Sequence, residues 1–217
     1  MNPLKPLLNG LISPNQPVFV PNHLIQDSII LAQEAFHFLD SKKRGNKGSM
    51  ALKLDLNEAY DRVEWDYLEV ILRKMGLNEK WINLIIQYVS NVSYNFVVNC
   101  SIVYSIRPER GLRQGAPLSP YLFLLVQDIL FHMLAKVVRL KDISGIQLRR
   151  NSPLLSHLFF ANDSIVFLNA NSKDCLNLLS ILSDYSAASG QLVSLSKSGI
   201  IFSANVLSSE RFILSSI

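Results

Sequence analysis

The sequence predicts an α+β fold, an antiparallel sheet with helices packed on one face. Strand-like runs alternate with helical runs without a βαβα rhythm, which argues against a parallel sheet. Two pairs of strand-like runs are joined by tight polar turns, at Asn99-Cys100 and at Asn162-Asp163, and short turns make antiparallel pairs. A long apolar run opens at Ser119, and 49% of the 217 residues are hydrophobic, enough for a sizeable core.

The elements follow in chain order. Leu24 to Leu39 places Ile25, Ile29, Ala32, Phe36 and Leu39 on one side of an amphipathic helix. "SKKRGNKGS", Ser41 to Ser49, is a solvated loop rich in Lys and Gly. Ala51 to Leu56 alternates as a strand. Asn57 to Met75 reads as one helix, with Ala59, Val63, Leu68, Ile71, Leu72 and Met75 near one stripe and Gly76 as its stop. Asn78 is the expected N-cap of a helix running to about Val89. Tyr94 to Ile106 reads as a hairpin, although Asn-Gly would suit its turn better than Asn-Cys, since both central residues want positive φ. Ser119 as N-cap and Pro120 at the first helical position open the long apolar helix, which runs to about Lys141. A second hairpin, "HLFFANDSIVF", surrounds Asn162-Asp163. Ser172 to Ala188 is a helix ended by Ser189-Gly190, and a last strand pair spans about Leu192 to Ser203.

Net charge is +4 and the pI about 9.1, which permits a nucleic-acid partner without requiring one. Mean hydropathy is +0.22, apolar enough that some surface is expected to meet a partner. No run reaches the ~18 apolar residues of a membrane span, so no membrane association is expected. Pro3, Pro6, Pro14 and Pro17 break the first 21 residues, which do not read as a signal peptide. Cys100 and Cys175 are isolated and suggest neither a disulfide framework nor a zinc site, so an intracellular setting, nucleus or cytoplasm, is expected.

Asp55 ends the apolar strand "ALKLDL", and Asp163 sits at a hairpin tip. Two such carboxylates from distant sequence can converge on divalent cations, and hard oxygen ligands suit Mg²⁺, as in two-metal nucleotidyl transfer. By spacing alone the plainer reading carries more weight, with Asp55 a charge at a helix N-terminus and Asp163 a turn former.

Four ordered segments change that weighting: "ALKLDLNEAYDRVEWDYLEVILRKMGL", "GLRQGAPLSPYLF", "HLFFANDSIVF" and "SGQLVSLSKSGIIFS". Together they resemble the palm of reverse transcriptases from non-LTR (LINE-type) retrotransposons, most like those of plants. "LISPNQPVFVPNHLIQDSIILAQEAFHFL" is similar to the segment upstream of that palm, so the resemblance runs from about Leu4 to Ser203. It implies a palm over residues 51–203, part of the fingers over 1–50, and a tail, 204–217, with the thumb missing: a truncated and degenerate copy. The implied reaction is nucleotidyl transfer from deoxynucleotides to a DNA primer on an RNA template, with Mg²⁺ as cofactor.

Residue by residue, Asp55 matches the first metal-binding aspartate, and Tyr60 the bulky gate that collides with a ribose 2′-hydroxyl, though Tyr60 also suits a core aromatic. Asp61 matches the motif's second aspartate, a structural charge more than a ligand. Gly111 to Pro120 matches the loop and helix start beneath template and incoming nucleotide, with Arg113, Gln114 and Gly115 among its members. Lys197 matches a late lysine near the triphosphate, though an ordinary solvated lysine reads nearly as well. Asn162 is the main departure. The family's hairpin tip reads Ala-Asp-Asp, and the first Asp is the main metal ligand. An amide there brings no charge, so two carboxylates, Asp55 and Asp163, stand where three are expected. Losing one costs several kcal/mol of transition-state stabilisation, orders of magnitude in rate. Ala116, Asn22-His23, Cys100 and Ser194 also depart from the usual residues.

Whether the chain is an enzyme is therefore open. The favoured expectation is a catalytically impaired reverse-transcriptase-like domain retaining weak, salt-sensitive nucleic-acid binding through Arg110, Arg113, Lys197 and the Lys42–Lys47 loop. The alternative is a non-catalytic nucleic-acid-binding or protein-interaction domain reusing the fold.

Overall fold

The computed structural model describes residues 25–160 and 163–217. The segment before residue 25 and the turn position Asn162 lie outside the described residues. In chain order the elements are α1 (Ile25–Ser41), β1 (Ser49–Asn57), α2 (Trp65–Lys74), α3 (Glu79–Ser90), β2 (Tyr94–Val98), β3 (Ser101–Ile106), α4 (Ser119–Arg139), β4 (His157–Phe160), β5 (Asp163–Asn169), α5 (Ser172–Ser189), β6 (Leu192–Val193), β7 (Gly199–Phe202) and α6 (Ser208–Ser215).

β1 organises the sheet. β5 pairs antiparallel along one edge, from Ser49 opposite Asn169 to Asp55 opposite Asp163, and β4 continues the sheet beyond β5. On the other edge β7 covers Met50 to Lys53, and β6 covers Leu56 and Asn57. Both faces of β1 are used. Met50 and Leu54, with Phe159, Val166 and Leu168, pack against Leu130, Phe131 and Leu134 of α4 and Cys175, Leu178 and Ile181 of α5. Ala51, with Leu158, Ile165 and Phe167, packs on the opposite face against Ala32, Ala35 and Leu39 of α1. α1 therefore covers the face opposite α4 and α5, which corrects the expectation that the helices pack on one face: both sides of β1 carry apolar side chains that need cover. A third cluster joins α2 and α3 to Leu122–Val126 of α4.

α4 is the core helix. Every residue from Leu122 to Asp128 is buried, so its first half is enclosed on all sides, while His132, Lys136 and Arg139 further along are exposed. By length and composition alone it is apolar enough to cross a membrane, which corrects the expectation that no run would reach that threshold.

Other boundaries differ for physical reasons. The helix expected over Asn57–Met75 forms only as α2, from Trp65. Residues before it turn instead, with Glu58 at φ +49°. Distant backbone donors take the carbonyls a helix would have used: Gly111 N–H bonds Val63 O and Leu112 N–H bonds Tyr60 O, each at 2.8 Å. In α4, Leu118 is the N-cap and Ser119 lies inside the helix, its buried hydroxyl without a hydrogen-bond partner. β6 and β7 pair with β1 and not with each other. The tail contains α6, which buries Leu214.

Several local signals act as read. Asn78 caps α3 by accepting from Lys80 N–H at 2.9 Å, and Gly190 ends α5 in the left-handed region. The β2–β3 turn places Asn99 at φ +49° and Cys100 at φ +63°, the conformation in which glycine is easier.

Candidate active-site cleft

Asp55 and Asp163 are directly opposed in the β1–β5 ladder. Opposed residues share a face, with Cβ atoms about 4.5–5.5 Å apart. Both line a cleft of about 670 Å³ together with Leu56, Glu58, Ala59, Tyr60, Gln114, Gly115, Pro120, Phe160 and Lys197. The structure thus brings Asp55, Tyr60, Gln114, Gly115, Asp163 and Lys197 to one place. Arg113 is exposed but does not line the cleft. Glu58 does line it. Sequence reasoning missed this residue because a helix from Asn57 would have carried it away, whereas the turn at Glu58 keeps it at the rim.

Asp55 is held through its backbone. Its N–H bonds Ser198 Oγ at 3.2 Å, and its carbonyl accepts from Ser194 N–H at 2.8 Å. The same turn, closed by Lys197 N–H and Ser198 N–H on Ser194 O, delivers Lys197 to the cleft. Tyr60 stacks on Phe123, with centroids 4.9 Å apart and planes at 18°. Burial raises its hydroxyl pKa. The ring is therefore both a core aromatic and a wall of the cleft.

Two distant segments clamp the turn that follows Asp55. From one side, Gln114 Nε2 lies 3.3 Å from both carboxylate oxygens of Asp61, which gives Asp61 a structural role away from the cleft lining. From the other, Gln191 Nε2 donates to Ala59 O at 2.9 Å, Arg62 Nε to Gly190 O at 3.0 Å, and Glu64 N–H to Ser189 O at 3.1 Å. Gln191 is fully buried. The sequence marked Gly190 only as a helix stop and gave no signal for Gln191.

Two residues expected to meet phosphates are already engaged. Arg110 pairs with Glu64 at 3.0 Å. Lys42 Nζ donates to Ser49 Oγ at 2.8 Å and lies over the Phe38 ring, and burial lowers its pKa. Lys43, Arg44 and Lys47 of that loop are exposed.

The donor set suits a hard divalent cation, since Mg²⁺ takes one or two protein carboxylates and completes its shell with water and substrate phosphate. Among the described residues, no group of three or more His, Cys, Asp or Glu side chains could hold a metal by itself. A cation does stand beside Asp163: Lys53 Nζ lies 3.6 Å from its Oδ1.

Comparison with known proteins agrees with this geometry. The family described as reverse transcriptase (RNA-dependent DNA polymerase) matches residues 1–210. The chain is 26% identical over 195 residues to the transposon TX1 uncharacterized 149 kDa protein of Xenopus laevis, covering 90% of this chain and 14% of that protein. It is 26% identical over 170 residues to the retrovirus-related Pol polyprotein from type-1 retrotransposable element R2 of Popillia japonica, covering 78% and 27%. It is 41% identical over 69 residues to an uncharacterized mitochondrial protein of Arabidopsis thaliana, covering 32% and 57%. The chain thus spans between 14% and 57% of the length of these relatives. Among solved structures, telomerase from Candida tropicalis in complex with a fragment of telomeric RNA matches with a TM-score of 0.59 at 14% identity, over 82% of this chain and 29% of that one. The apo form truncated from its C-terminal domain matches at 0.56 and 15%, over 82% and 34%. At such identity the likeness speaks for the fold, an α+β reverse-transcriptase palm. The chain belongs to the reverse transcriptase (RNA-dependent DNA polymerase) family.

Proposed function

We propose that this chain is the palm of a retrotransposon RNA-directed DNA polymerase whose catalytic site is impaired at Asn162. The single observation that carries the site reading is the register: Asp55 directly faces Asp163 in a cleft that Tyr60, Gln114, Gly115 and Lys197 also line. Reverse transcriptases as a family use divalent metal ions, and here Asp55 and Asp163 would hold them. Bound there, such ions polarise phosphoryl oxygens and neutralise developing charge.

The chain's own residues do the rest. Tyr60, fixed against Phe123, limits how closely a sugar approaches the turn and so disfavours a 2′-hydroxyl. Gly115, at φ +82° with open space where a Cβ would stand, lets a base or sugar come close to the backbone. Lys197 at the cleft meets the triphosphate. Asn162 occupies the position next to Asp163 where the family resemblance expects the main carboxylate ligand, and its amide supplies no charge. The partners are an RNA template, a DNA primer and deoxynucleotides, in an intracellular setting.

A primer-extension assay with Mg²⁺, an RNA template, a DNA primer and deoxynucleotides tests this. The chain should show no extension above background. Clear extension by the wild type would refute the impairment.

A further inference from the structure

The candidate metal position already has a cationic neighbour, and it comes from the strand that carries Asp55. Lys53 and Asp55 are two residues apart in β1, so their side chains share a face. Lys53 is paired with Ile165 on one flank and Gly199 on the other. Asp163 is therefore its diagonal neighbour across the ladder, a separation a long side chain spans. Gly199 presents no side chain, and a Cβ built there would meet nothing within 4 Å, so that flank offers the ammonium no competing carboxylate. On the Asp163 side the ammonium makes its ion pair at 3.6 Å, with both side chains about half exposed.

We propose that Lys53 is an internal competitor for the divalent cation: its ammonium holds Asp163 in the metal-free protein, and a divalent ion must displace it to bind. This inference rests on the reading of Asp55 and Asp163 as cation ligands and goes beyond it, because it assigns Asp163 a specific competing counter-ion. The charge count shows why it matters in this chain. With an amide at position 162, Asp55 and Asp163 supply two negative charges and Lys53 offsets one of them, while Glu58 and Lys197 elsewhere in the cleft lining offset each other. The remaining attraction for a divalent ion is weak, so the lysine weights the balance toward the metal-free state. A half-exposed pair is modest in strength. Removing the competitor should therefore tighten divalent binding by about two- to fivefold, which is about 0.4–1 kcal/mol.

Mn²⁺ titration at low ionic strength, read by the EPR signal of the free aqueous ion, measures this on the chain as it stands without any need for turnover. The wild type is compared with Lys53→Met and Lys53→Gln, two neutral variants of different polarity whose folding is checked by thermal unfolding. Lys53→Arg keeps the charge, and Lys197→Met removes the positive charge that lines the cleft itself. Lys53→Met and Lys53→Gln should bind Mn²⁺ two- to fivefold more tightly, Lys53→Arg no more tightly than wild type, and Lys197→Met with a smaller gain than Lys53→Met. Unchanged or weaker binding in both neutral Lys53 variants overturns the proposal. An equal gain from Lys197→Met also overturns it, because the effect would then be general charge and not the ion pair. Asp55→Asn separates the underlying reading. It should weaken Mn²⁺ binding at least tenfold in both the wild-type and the Lys53→Met backgrounds. Binding indifferent to Asp55→Asn means that the ion sits elsewhere and the site reading fails, whatever Lys53 does. Absence of measurable binding in every variant overturns both.

Discussion

Gly190→Ala should be one of the most damaging single-methyl changes in this protein, and the reason can be worked from its surroundings. Gly190 sits at φ +77°, where an alanine is strained by about 1–2 kcal/mol. Its Cβ would lie 2.4 Å from the carbonyl oxygen of Arg62 and within 3 Å of two atoms of the Glu64 side chain. The first contact is with backbone, so it cannot be relieved by turning a side chain. The segment must move away from the turn that carries Tyr60, and three hydrogen bonds cross that gap: Gln191 to Ala59, Arg62 to Gly190, and Glu64 to Ser189. At roughly 1 kcal/mol net for each bond lost, on top of the strain, the sum is about 4–5 kcal/mol. Gly76→Ala is the matched control. Gly76 has φ +79°, but nothing lies within 4 Å of its Cβ position, so only the strain of about 1–2 kcal/mol remains. Alanine stiffens the unfolded chain equally in both variants, and the difference between them isolates the collision. Urea unfolding of the two variants gives the comparison. Equal destabilisation within about 0.5 kcal/mol would refute the claim that Gly190 clamps the Tyr60 turn.

Two further outcomes follow from other parts of the structure. His157 is enclosed by Phe131 and Phe159, and burial lowers its pKa to about 4 from 6.5. The folded protein keeps this ring neutral while the unfolded chain takes up a proton, so stability falls as pH drops from about 6.5 toward 4, by about 3 kcal/mol in all. His157→Phe should lose that part of the pH dependence, and urea unfolding at pH 7 and 4.5 that falls equally in both proteins would count against it. Affinity for a primer–template duplex should fall steeply with salt and should drop on Arg113→Ala plus Lys197→Ala. Arg110→Ala should matter less, because its guanidinium is already paired with Glu64. Binding by fluorescence anisotropy that ignores salt or the double substitution would contradict this.

Much of the fold was legible because local rules and tertiary packing agree along most of the chain. The helical period of α1, the Asn78 cap, the two hairpins and the Gly190 stop all depend on residues within one or two turns of each other, although in α1 the core takes Ala32, Ala35 and Leu39 and leaves the expected Ile29 exposed. That Asp55 stands on an apolar strand and Asp163 at a hairpin tip was legible too, but their direct opposition belongs to the register of two strands more than a hundred residues apart. The stretch from Asn57 to Val63 reads as helix because Ala59 and Val63 have helical spacing and are indeed buried. The carbonyls of Tyr60 and Val63 are claimed instead by Leu112 and Gly111, partners that no local window contains. The same limit hid Glu58 and Gln191, whose places depend on that turn. It also hid the engagement of Lys42 and Arg110, which look like free charges in the sequence but have partners at Ser49 and Glu64.

The proposed impairment at Asn162 can be isolated in a chimera. The matching segment of a longer, active reverse transcriptase is replaced by residues 51–203 of this chain, once with Asn162 and once with Asn162→Asp. Primer extension is then measured on an RNA template with a DNA primer and Mg²⁺. The flanking regions supply substrate placement, which can contribute about 7–11 kcal/mol, so that the two chimeras differ in the metal site alone. Restoring a carboxylate where charge develops should return about 2.7–4 kcal/mol, or roughly 10²–10³ in rate. That gap is expected, with the Asn162 chimera near background. Equal extension by the two chimeras would contradict it.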